Sequence, residues 1–104
     1  MVKLEVLYFD GCPSHERLMP IVRELAAAHG AELVESRIET AERAQEARFL
    51  GSPSVRVEGR DVEPAAQTRT DYGLKCRLYR SSAGQSGLPP REWIEHALRE
   101  TTAR

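Results

Sequence analysis

The thiols available to this chain are Cys12 and Cys76. Cys12 stands in Asp10-Gly11-Cys12-Pro13-Ser14-His15, directly after the apolar run Leu7-Tyr8-Phe9 and before a stretch with helical periodicity. A cysteine at such a strand-to-helix junction meets the first backbone N–H groups of the helix. These have no intrahelical partner and carry the positive end of the dipole, so they favour thiolate over thiol. Pro13 suits the first helical position, because it has no N–H to orphan and its φ is already helical. The dipole contributes about 0.3–1 kcal/mol and about 1.4 kcal/mol corresponds to one pKa unit, so a neighbour must help. His15, within one turn of Cys12, is placed to steady the thiolate, while Asp10 opposes it as a like charge. A solvent-facing Cys12 of this kind attacks a disulfide or another electrophile and is left as a mixed disulfide or sulfenate, which a second sulfur must resolve. Cys76, flanked by Lys75 and Arg77, is the internal candidate if its Cα comes within about 7 Å of that of Cys12. As one residue of an alternating run, Cys76 also reads simply as a small buried hydrophobe.

The elements that must position these residues follow from the pattern. At 104 residues the chain is one domain, long enough to bury a core without a disulfide or metal. With 15 basic against 16 acidic side chains it offers no electrostatic case for nucleic acid or an anionic membrane. The N-terminus carries charges where a signal peptide needs an apolar run, and no stretch approaches the ~20 apolar residues of a spanning helix. A cytoplasmic protein, monomeric or weakly dimeric, is expected, and in that compartment a purely structural disulfide between the two cysteines is not.

Residues 3 to 9 read as a strand buried on both faces at its far end. Pro13 to His29 reads as a helix with Leu18, Ile21, Val22, Leu25 and Ala26 on its apolar face, a kink at Pro20 and Gly30 as the C-cap. Ala31 to Ile38 is a second strand, and Thr40 caps a helix that runs through Leu50. Ser54 to Val57 and Arg60 to Val62 form a hairpin around Glu58-Gly59, with Pro53 in a cis turn or at the first strand position. In residues 63–90, Tyr72, Leu74, Cys76 and Leu78 alternate with Lys75, Arg77 and Tyr79, which predicts a short strand over 74–79, followed by a mobile small-residue loop over 81–87. The cluster Arg69, Lys75, Arg77 and Arg80 reads as a solvated face, or alternatively as a seat for an anionic ligand such as glutathione. After Pro89-Pro90 a last helix carries Trp93, Ile94, Ala97 and Leu98 on one face. The fold class is therefore α/β, a mixed four-stranded sheet in the order β-α-β-α-β-β-α, one domain over 1–104 with an insert over 63–90 before the last helix.

A strand ending in an aromatic residue, Cys-Pro-Ser-His at a helix start, a proline within that helix and Ser52-Pro53-Ser54 before the third strand together resemble the thioredoxin and glutaredoxin superfamily. The Phe-Asp-Gly-Cys-Pro opening, Gly-Ser-Pro-Ser-Val-Arg-Val and Cys-Arg-Leu-Tyr also resemble small bacterial thioredoxin-like proteins, some labelled alkylmercury-lyase-like. The resemblance covers residues 3 to 62 and the last helix. It implies a thioredoxin-like fold with Cys12 as the nucleophile and Pro13, Ser52 and Pro53 as the substrate-binding residues, Pro53 being the cis proline and Ser52 offering its backbone to a bound thiol or peptide. His15 stands where that family has its second cysteine, so no dithiol cycle runs within the motif.

The leading expectation is a thiol-dependent oxidoreductase working through a mixed disulfide on Cys12, with a thiol or disulfide substrate or partner protein. It needs no resident cofactor, and glutathione or a partner thiol completes the cycle if Cys76 cannot. One alternative is a soft-metal binder or organomercurial-processing protein, since two thiolates, Cys12 and Cys76, suit mercury or copper by softness. The other is a non-catalytic adaptor built on the same fold.

Overall fold

The computed structural model describes residues 1–102. Its elements are β1 (Lys3–Tyr8), α1 (Pro13–His29), β2 (Glu32–Arg37), α2 (Ala41–Glu46), β3 (Ser54–Val57) and β4 (Arg60–Asp61), then a 3-10 turn over Pro64–Thr68, β5 (Tyr79–Ser81), β6 (Gly84–Ser86) and α3 (Arg91–Thr102). The first four strands form one mixed sheet in the order β2-β1-β3-β4. β1 runs parallel to β2 and antiparallel to β3, which turns back into β4.

Successive side chains of β1 point to opposite faces, and both faces are covered. Leu4 and Val6 meet Leu18, Val22 and Leu25 of α1 and Ile94 and Leu98 of α3, with Val55 and Val57 from β3 completing that core. Leu7 faces the other way, into a smaller cluster with Ile38, Ala44 and Phe49 beneath α2. α1 spans the predicted residues and runs through Pro20. Gly30 ends it at φ 63°, where its N–H and that of Ala31 bond back to the last turn.

Three expectations are corrected. α2 stops at Glu46 rather than Leu50. Arg48 takes a left-handed φ of 54°, its N–H bonding Gln45 O and that of Phe49 bonding Ala44 O, a Schellman ending with arginine where glycine is usual. The turn sends Phe49 and Leu50 into the interior. The strand expected over 74–79 does not form before Tyr79, and Cys76 makes only an isolated bridge to Ser52. The 81–87 loop is instead half of a ribbon, β5 paired with β6 across Ser82-Ala83.

Candidate active site at the start of the first helix

Cys12 is the N-cap of α1, extended at φ −89° and ψ 108°, with Pro13 exposed at the first helical position. Its carbonyl receives the Glu16 N–H at 3.4 Å, while its sulfur makes no capping hydrogen bond. The residue is only 4 % exposed, so the solvent-facing thiol expected from sequence is corrected to a buried one. It belongs to neither apolar cluster.

Pro53 enters β3 through a cis Ser52–Pro53 bond, one of the two geometries expected for it. Ser52 is the hub of the site. Its hydroxyl accepts the Phe9 N–H at 3.4 Å, at the end of β1 and a short turn before Cys12. Its own N–H donates to Lys75 O at 2.8 Å, and its carbonyl accepts from the Arg77 N–H at 3.0 Å. The structure thus brings Cys76 to Ser52 and leaves both cysteines as free thiols, Cys12 buried and Cys76 exposed. The backbone groups of Ser52 that the resemblance assigns to a bound thiol or peptide are already taken by the chain itself.

His15 is held elsewhere than on the thiol. Its ring stacks on Tyr8 with centroids 3.8 Å apart and planes 3° from parallel. Its Nε2 lies 3.4 Å from Glu35 Oε1 in β2, close enough for an ion pair when protonated but without hydrogen-bond alignment. No hydrogen bond joins it to Cys12 among the described residues.

The segment carrying Cys76 is fastened along its length. The Gly73 N–H donates to Phe49 O, Lys75 and Arg77 flank Ser52, and the Tyr79 hydroxyl donates to Pro53 O at 2.5 Å. Arg77, expected on a solvated or ligand-binding basic face, is instead sealed in. Its side chain is 0 % exposed and donates to both oxygens of Asp61 at 2.7 and 3.0 Å, to Glu63 at 2.9 Å and to Ser54 Oγ at 2.9 Å. Its guanidinium also lies 4.4 Å from the Tyr79 ring centroid. Burial alone would lower its pKa, yet the hydrogen bonds and charge of Asp61, with Tyr79 and Glu63, raise it, so Arg77 is a permanent cation. Burial likewise pushes the Tyr79 phenol up and keeps it neutral as a donor. Arg69 and Lys75, from the same supposed basic face, both bind Asp71. The interior faces of this segment are Arg77 and Tyr79, while Leu74 and Leu78 are exposed, the reverse of the apolar phase. The available signal was Asp61 and Glu63, two residues apart and so on one side of an extended chain.

The far end of the insert touches the helix. Gly87 lies against Ser14 so closely that a β-carbon on residue 87 would collide with Ser14 Oγ. The insert therefore contacts the chain at Ser52 and at Ser14, the latter two residues after Cys12. Among the described residues there is no group of three or more His, Cys, Asp and Glu side chains able to hold a metal, and no helix is long and apolar enough to cross a membrane. No family model matches this chain, and no curated protein matches it in sequence.

Proposed function

We propose that this protein is a thiol–disulfide oxidoreductase of the thioredoxin-like class. Cys12 is its nucleophile and Cys76 the second thiol of the cycle. The observation that carries the reading is the convergence on Ser52, whose hydroxyl meets the strand leading to Cys12 while its backbone is bridged to Cys76. The sheet order β2-β1-β3-β4, the cis Ser52–Pro53 bond and Cys12 at the N-cap of α1 support the same class.

In the forward direction the Cys12 thiolate attacks one sulfur of a substrate disulfide and expels the other as a thiolate. The Cys76 thiolate then attacks Cys12 Sγ, closing a Cys12–Cys76 disulfide and expelling the second half of the substrate. Two protein thiols are oxidised, one disulfide is reduced to two thiols, and the protons lost from the cysteines appear on the products. A dithiol partner or glutathione returns the protein to its reduced form. Such a cycle suits a reducing cytoplasm and needs no resident cofactor, and it runs in a monomer or weak dimer. Closing that disulfide requires the hydrogen bonds that hold Lys75 and Arg77 on Ser52 to open, so that Cys76 can reach Cys12.

The test is stoichiometric. Reduced protein mixed with 2-hydroxyethyl disulfide is expected to release two equivalents of mercaptoethanol and lose two hydrogens in mass. The Cys76→Ser variant stops after one equivalent with the adduct on Cys12, and Cys12→Ser does not turn over. Adducts on both cysteines of the wild type, formed no faster than on free glutathione, would overturn the assignment.

A further inference from the structure

We infer that residues 73–79 form a strap that sets the substrate class of the Cys12 thiol, admitting small disulfides and turning away extended polypeptide chains. This rests on the thiol-exchange reading above. An extended peptide binds beside a reactive residue by adding to free backbone N–H and C=O groups at a sheet edge. One such pair belongs to Ser52, whose hydroxyl meets the strand leading to Cys12, and Lys75 and Arg77 already fill both.

The strap is built in rather than laid on. Gly51, at φ 123°, faces it so closely that a β-carbon there would stand 3.0 Å from both Arg77 Cβ and Lys75 O. Only glycine lets the two backbones meet at that distance. Arg77 is pinned from below by Asp61, Glu63 and Ser54, and Tyr79 ties the next turn of the strap to Pro53. Gly87 lies against Ser14, two residues after Cys12, and Cys12 itself is 4 % exposed. A two-carbon or single-ring disulfide has no backbone to pair and makes no demand on the occupied groups of Ser52. A polypeptide must first lift the strap and give up both of its hydrogen bonds to Ser52.

Two probes with the same leaving group separate the classes. The Cys76→Ser protein is mixed with 2,2′-dithiodipyridine, or with an extended ten-residue peptide bearing one cysteine as its 2-thiopyridyl disulfide. In both reactions the Cys12 thiolate forms a mixed disulfide and releases 2-thiopyridone, read by absorbance, and each rate is normalised to that of glutathione with the same probe. Replacing two backbone hydrogen bonds predicts a small-probe advantage of about 30-fold. Adding Gly51→Ala, which wedges the strap away, is expected to raise the peptide rate and shrink that ratio. Arg77→Lys serves the same purpose if Gly51→Ala does not fold. Equal normalised rates for the two probes, or a ratio unchanged once amide exchange at Ser52 and Arg77 shows the strap released, would overturn the inference while leaving Cys12 a nucleophile. Reaction with neither probe faster than glutathione would instead remove the nucleophile reading itself.

Discussion

The face of the sheet under α1 and α3 and the edge under the strap are both buried, by opposite means. On the first, Leu4, Val6, Leu18, Val22, Leu25, Ile94 and Leu98 meet as interchangeable hydrocarbon, and every one of them recurs at the period of its strand or helix. On the second, one arginine fills the interior with a fixed set of hydrogen bonds to Asp61, Glu63 and Ser54. The difference lies in what a single change does. An apolar core loses contacts in proportion to the atoms removed, whereas a buried ion cluster that loses one member keeps charges with no partner.

The largest effect should therefore come from Arg77→Met, which strands Asp61 and Glu63 and is expected to cost about 3–5 kcal/mol in urea unfolding. Trp93, edge-on to Tyr79 at 6.4 Å, is a natural fluorescent reporter of this region. Combining Arg77→Met with Asp61→Leu and Glu63→Leu should return most of that loss, because the charges disappear together. A triple variant as unstable as the single one would show that the cluster stabilises through shape rather than charge. Leu18→Ala is the matching change on the other face, expected to cost about 3 kcal/mol in proportion to the cavity it leaves. No change to a neighbouring charge should rescue it, and far-UV and Trp93 signals should fall together. A Leu18→Ala loss confined to the strap would break the division between the two regions.

The same division marks how far the fold could be read from sequence. β1, α1 with its Gly30 ending, the β3–β4 hairpin and α3 follow from periodicity and turn chemistry, because apolar burial leaves a repeating trace. So does the placement of Cys12 at a helix start. The strap leaves no such trace. Its apolar residues Leu74 and Leu78 point outward and Arg77 inward, which only a partner supplied from Asp61 and Glu63 can stabilise. The end of α2 was hidden for a related reason, since Arg48 adopts a left-handed turn that local chemistry would give to glycine and that the burial of Phe49 and Leu50 enforces. At the site, the cis bond at Pro53 was one of the two geometries the residues offered, whereas the burial of Cys12 and the occupation of Ser52 by the insert were not legible.

The smallest predicted effect separates two kinds of ion pair that hold the strap. Asp71 accepts from Arg69 at 2.7 and 2.9 Å and from Lys75 at 2.7 Å, and these hydrogen bonds, that of Arg69 first, hold its carboxyl far below the usual range. A carboxylate depressed on folding contributes stability that is fully present above its unfolded pKa of about 3.9 and is lost as pH falls through the lower folded value. Its side chain is 52 % exposed, however, so water and salt screen the gain to well under that of the Arg77 cluster. Asp71→Asn should lower the urea midpoint slightly at pH 7 and low salt, and the difference should vanish in 1 M NaCl. It should also vanish in strong acid, where Asp71 is protonated in both states. Arg77, wholly enclosed, should keep its full effect in the same high salt. A salt-insensitive loss in Asp71→Asn would mean that Lys75, and with it the Cys76 end of the strap, is gripped as firmly from the surface as from within.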